Sequence, residues 1–193
     1  MATPTSIETA IRRASSADDA ALAVVGQATF LETFAGVLDG AAIVAHCREA
    51  HSAARYRQWL EQPGCAAWLA EAPGGAPVGY ALVAAPDLPS ADPGRDLELK
   101  RIYLLGRCRG GGTGRRLLAE AIAFARDAGA SRLLLGVYAG NAAAIGFYRR
   151  HGFVDVAERR FNVGGTAYDD RVMGLALDGS AAHASPAPSG RPA

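Results

Sequence analysis

The chain has 193 residues, half of them apolar, enough for one well-buried core and short for two. Its 20 basic and 19 acidic residues leave a net charge of +1, so no global field draws it onto nucleic acid or an anionic membrane, and charge-based recognition is local. Cys47, Cys65 and Cys108 form no Cys-x-x-Cys pair, which argues against a disulfide framework or a zinc site and fits a reducing cytoplasm.

Residues 1–6 show no basic stretch followed by an apolar one, and no apolar run nears the ~18 residues that span a bilayer, so a soluble cytoplasmic protein with a disordered start is expected. Ile7, Thr9 and Ile11 alternate as a strand. Ser15 to Asp19 offers caps for a helix to about Phe30, and a second helical stretch covers Asp39 to Leu60. Cys65 to Glu71 and Val78 to Ala85 form a hairpin about Pro73-Gly74-Gly75-Ala76. After an exposed loop, a strand runs from Leu97 to Leu105, followed by a glycine run and a helical stripe of Leu117, Leu118, Ala121, Ile122 and Ala125 up to Gly129. Arg132 to Tyr138 completes a strand, helix, strand crossover. Asn141 caps a helix through Arg150, and Phe153 to Asn162 with Tyr168 to Leu177 form a last hairpin about Gly164-Gly165. One domain is thus expected over 7–177, with a disordered Ala/Ser/Pro/Gly tail over 178–193.

The turn Arg109-Gly110-Gly111-Gly112-Thr113-Gly114 joins an apolar strand to an amphipathic helix. Its amide N–H groups sit at a helix N-terminus, where the dipole contributes about half a positive charge, and the missing Cβ atoms allow close approach. A pyrophosphate is the natural occupant. No Gly-Lys-Ser/Thr follows, and the third glycine of a dinucleotide fold is missing, so neither of those phosphate sites is expected. Alone, Arg-x-x-Gly-x-Gly is a weak signal.

Downstream, Asn141-x-x-Ala144-Ile145-x-Phe147-Tyr148 runs into Gly152-Phe153. With the strand Glu98 to Leu104 and the glycine turn, this resembles the GNAT superfamily of N-acetyltransferases. The resemblance implies a mixed α/β fold: a central, mostly antiparallel sheet with one parallel strand pair, flanked by helices. It implies acetyl-CoA as co-substrate, with the pyrophosphate on the turn from Arg109 to Gly114. Gly111 stands where relatives often carry a polar or basic residue, and Arg115 or Arg116 is expected to supply the missing contact. The pantetheine arm is expected along the main chain of Ile102, Tyr103 and Leu104, with Asn141 and Phe147 beside it and Tyr148 next to the thioester sulfur. Because family members are often dimers, a homodimer is the expectation.

An alkyl amine with a pKa near ~10.4 is neutral in only about one molecule in two thousand at pH 7, so a base is needed. Glu98 is the candidate, set against the plainer reading of a surface salt bridge with Lys100. The resemblance implies that the Leu104 N–H stabilises the oxyanion and that Tyr148 protonates the departing thiolate. Cys108 reads as structural, and the histidines show no ligand spacing, so no metal is assigned. Thr29 to Phe34, Glu98 to Tyr103 and Leu135 to Tyr138 look most like the PaiA-type polyamine acetyltransferases, which implies a small-molecule amine acceptor near Glu32, Phe34, Tyr168 and Asp170. The alternatives are a non-catalytic acyl-CoA-binding module, a protein N-terminus or antibiotic amine as acceptor, and a nucleic-acid domain using Arg101, Arg107, Arg109, Arg115 and Arg116. In a neutral chain the last is disfavoured.

Overall fold

The computed structural model describes residues 7–163 and 166–177. The expected disordered ends, 1–6 and 178–193, and the Gly164-Gly165 turn lie outside the described residues.

The first strand, β1 (Ala10–Arg13), is shorter than the alternation from Ile7 suggests, and a one-turn 3-10 segment leads from it into helix α1 (Asp19–Phe34). The single helix expected over Asp39 to Leu60 is two helices, α2 (Gly40–Ala50) and α3 (Ala53–Glu61). The break has a local cause. Ser52 leaves the helical conformation and its hydroxyl accepts the Arg55 N–H at 3.1 Å, capping a new helix. Asp39 caps α2 in the same way, accepting from the Ala41 and Ala42 N–H groups. The remaining elements are β2 (Ala66–Glu71), β3 (Pro77–Ala84), β4 (Asp96–Leu104), α4 (Thr113–Asp127), β5 (Arg132–Tyr138), α5 (Ala142–Arg150), β6 (Val154–Val163) and β7 (Thr166–Ala176).

Among the described residues, seven strands form one sheet in the order β1-β2-β3-β4-β5-β7-β6. Every neighbouring pair is antiparallel except β4 and β5, whose parallel pairing follows from the crossover through α4. The helices cover both faces. On one face α4 and α5 bury Leu117, Leu118, Ala121, Ala125, Ile145 and Tyr148 against Trp68, Val83, Leu99 and Leu135. On the other, Leu22, Val25 and Tyr56 of α1 and α3 pack on Leu69, Tyr80 and Leu82. Each fully buried leucine contributes about 2 kcal/mol to holding these layers together. No helix among the described residues is long and apolar enough to cross a membrane.

Candidate active site

The sheet opens at its centre. β4 and β5 are paired only where Asp96, Leu97 and Glu98 meet Arg132, Leu133 and Leu134. Beyond Glu98 the two strands part, and β4 keeps β3 as its one neighbour. The β3–β4 register shifts between Leu82 and Val83, which face Arg101 and Leu99, so Lys100 is an extra residue in a β-bulge. The bulge changes the alternation. Leu99, Ile102 and Leu104 face α4, while Arg101 and Tyr103 face the α1–α3 side together with Glu98.

The Leu105 N–H donates to the Val78 carbonyl of β3 at 2.9 Å. Main-chain groups alternate sides along a strand, so those of Ile102 and Leu104 point away from β3, into the opening. The Arg109 Nε donates to the Leu104 carbonyl from that side at 3.1 Å.

A groove of about 500 Å³ occupies the opening on the α4–α5 side, lined by Ile102, Tyr103, Leu104, Arg109, Gly110, Gly112, Gly114, Arg115, Asn141, Phe147 and Tyr148 among others. Gly110 and Gly112 sit at φ +88° and +82°, backbone that residues with side chains adopt at a cost, and a Cβ on either would meet no atom within 4 Å. The space before the turn is therefore free for a ligand, and the N-terminus of α4 begins there at Thr113. A pyrophosphate fits this cradle: open backbone, a helix N-terminus and the two guanidiniums of Arg109 and Arg115. Gly111 and Thr113 do not line the groove. The Thr113 hydroxyl is buried 2.8 Å from that of Thr9, and Arg116 is held to the Thr9 carbonyl at 2.9 Å, so of Arg115 and Arg116 it is Arg115 that faces the groove.

Asn141 caps α5, its Oδ1 accepting the Ala144 N–H at 3.1 Å. About two helical turns on, Tyr148 is buried beside Phe147 and Phe153, and its hydroxyl reaches the groove without a partner among the described residues. Burial, and secondarily Tyr103, push its pKa up from the ordinary tyrosine value, so it stays protonated at neutral pH.

A second cavity, about 320 Å³, lies on the other side of the opening beneath α1–α3 and the β6–β7 hairpin. Phe34, Tyr168 and Asp170 line it, as does Glu98. Glu32 does not. Its carboxylate accepts the Gly106 N–H at 2.8 Å and lies 3.6 Å from Arg109, so Glu32 stands next to the glycine turn and not, as expected, with Phe34, Tyr168 and Asp170. Asp170 is buried with the Arg159 Nε at 3.2 Å, and burial raises its pKa against the pull of Arg159. The Glu98–Lys100 contact is a buried ion pair rather than a surface one: Nζ to Oε2 is 2.6 Å and the side chains are 8% and 5% exposed. The Asp87 N–H also donates to Oε2, leaving Oε1 without a partner among the described residues. Burial drives the Glu98 pKa up, and Lys100 only partly opposes it.

The two cavities share Phe34, Lys100, Arg101, Tyr103, Gly136 and Tyr138. A groove ending in the glycine turn thus meets, through an opening in the sheet, a cavity containing a buried carboxylate.

A family model described as the acetyltransferase (GNAT) family matches residues 34–153. The chain belongs to that family. It is 36% identical over 122 residues to an uncharacterised N-acetyltransferase of Mycobacterium tuberculosis, covering 63% of this chain and 74% of the relative. Its fold matches the crystal structure of a PaiA N-acetyltransferase from Thermoplasma acidophilum in complex with coenzyme A, with a TM-score of 0.71 at 21% identity over 88% of this chain and 99% of that one. A ribosomal-protein-alanine N-acetyltransferase from Brucella melitensis matches with a TM-score of 0.63 at 30% identity over 87% and 99%. The protein is accordingly an acetyl-CoA-dependent N-acetyltransferase.

Proposed function

We propose that the chain acetylates the primary amine of a small molecule by direct attack, with the donor in the larger groove and the acceptor in the smaller cavity. The observation that carries this reading is the junction of the two cavities at the opening between β4 and β5, with Glu98 on one side and Tyr148 on the other. Acetyl-CoA supplies the activated acetyl group as a thioester. Arg109, Arg115 and the amides at the start of α4 hold its pyrophosphate, and the main chain of Ile102 and Leu104 aligns its arm. The free Oε1 of Glu98, a stronger base than an exposed carboxylate, takes a proton from the ammonium directly or through a water. The Leu104 N–H donates to the carbonyl oxygen as charge develops on it. The Tyr148 hydroxyl gives its proton to the departing sulfur.

The resemblance favours a polyamine, and Asp87, Glu98 and Asp170 in the acceptor cavity are what supports it. Each of them already faces a cation: Lys100 for the first two, Arg159 for the third. The carboxylates therefore suit one amine better than a chain of ammonium groups. The test is thiol release from acetyl-CoA against spermidine, spermine, amino acids, aminoglycosides and N-terminal peptides. Turnover with any of these amines supports transfer; calorimetric CoA binding with silence across the panel would replace it with a non-catalytic binding module.

A further inference from the structure

The acceptor cavity contains a half-buried charge with no carboxylate against it among the described residues. Arg101 rises from the floor of the cavity just after the β4 bulge. One terminal nitrogen donates to the Ala50 carbonyl at 2.7 Å, at the C-terminal end of α2, and the other lies 3.3 Å from the His51 Nδ1. The guanidinium carbon stands 5.2 Å from the centre of the Tyr56 ring. Burial, followed by the charge of Arg101, lowers the His51 pKa to about 2, so the imidazole is neutral. Every described partner of Arg101 is thus neutral, whereas Arg159 and Lys100 in the same cavity each have a carboxylate. A helix C-terminus and an aromatic face offset part of the desolvation of a guanidinium, but an anion is its natural complement. Arg55, at the wall near Trp59, is a second cation with no ion pair among the described residues.

We infer that the acceptor is an amine that also carries an acidic group, a carboxylate or phosphonate, which Arg101 receives in a fork while the amine is presented to Glu98. This rests on the acetyl-transfer reading above and narrows its substrate to amino-acid-like molecules. A planar guanidinium with parallel N–H donors matches a carboxylate or phosphonate in two bonds. The remaining walls, including Phe30, Phe34, Trp59, Tyr138 and Phe161, suit an apolar or aromatic body.

The experiment compares phenylalanine, tyrosine and leucine with phenethylamine, tyramine and isoamylamine, pairs that differ only in the carboxylate. Binding to the full chain saturated with CoA is measured by calorimetry, and transfer by thiol release corrected for amine ionisation. At least one amino acid is expected to bind tenfold or more tightly than its decarboxylated partner. Arg101→Gln should erase that preference, and Arg101→Lys, which keeps the charge and spares the fold, should reduce it severalfold through KM with the CoA affinity unchanged. Equal binding within all three pairs, tighter binding of spermidine, or a preference untouched in both variants overturns the inference. Arg101-dependent binding of an amino acid without acetyl transfer would uphold the anion site while the transfer reading fails.

Discussion

Asp96 and Arg132 face each other at the first rung of the parallel ladder and are joined by two hydrogen bonds, Nε to Oδ1 at 3.0 Å and a terminal nitrogen to Oδ2 at 2.6 Å. The Asp96 side chain is 1% exposed and also accepts the Asp92 N–H. The pair closes the start of the ladder, at the end opposite the opening that begins after Glu98, and so anchors β4 to β5.

Asp96→Asn should therefore destabilise the fold by about 2 kcal/mol, less than a fully buried pair because Arg132 is 36% exposed. Burial is the largest single influence on Asp96 and raises its pKa, but the Arg132 hydrogen bonds, the Asp92 N–H and the charge of Arg132 together outweigh it and hold the carboxyl below its usual range. A carboxyl depressed on folding stabilises the native state above its unfolded pKa, and that contribution is lost as pH falls through the folded value. Urea unfolding from pH 7 to pH 3 should show the wild-type advantage over the variant shrinking toward the acid end.

Glu98→Gln should lower kcat by about a hundredfold or more, the range of a removed general base, with the KM for acetyl-CoA unchanged. Because the wild-type carboxyl titrates above the ordinary carboxylate value, its rate should fall as pH drops through that raised pKa, and the variant should lack this acid limb. An unaltered pH profile would remove Glu98 from the proton path.

Tyr148→Phe deletes a hydroxyl with no described partner while keeping the ring that packs on Phe147 and Phe153. Thermal stability should change by less than about 1 kcal/mol, and kcat should fall about tenfold to a hundredfold. A thiol of lower pKa as leaving group should suffer less from the loss; equal loss for both thiols would count against proton donation.

Gly112→Ala places a side chain at φ +82° in open space, so the penalty is backbone strain rather than collision, about 1–2 kcal/mol. Relief of that strain would tilt the amides at the start of α4, and the CoA Kd should rise about tenfold by calorimetry. If stability falls and the CoA affinity stays, the turn is only a corner in the chain.

The parts of the site that lie close together in sequence were legible there. The glycine turn, the Asn141 cap and the placing of Tyr148 about two helical turns later are local patterns, and their geometry depends on few distant contacts. The break between α2 and α3 was also marked locally, by Ser52, but the apolar stripe on both sides masked it. What the sequence hid was set by register between separate strands. Alternation along β4 puts Glu98, Lys100, Ile102 and Leu104 on one side; the bulge at Lys100 moves Ile102 and Leu104 to the other face and turns Arg101 toward the smaller cavity. Glu32 was misplaced for a similar reason: α1 continues to Phe34, and its last turn brings the carboxylate to Gly106 instead. The cluster of His51, Tyr56, Tyr80 and Arg101 assembles from four elements and loops that no spacing connects.

The opening between β4 and β5 gives this sheet an exposed margin in its interior, where most sheets have one only at their rims. A rim strand invites any passing polypeptide to pair with it. Here the unpaired main chain of Ile102 and Leu104 lies between two hollows, the larger groove on one face and the smaller cavity on the other. A guest that carries amides of its own can complete the ladder from inside the sheet, so the gap is mended by what fills it.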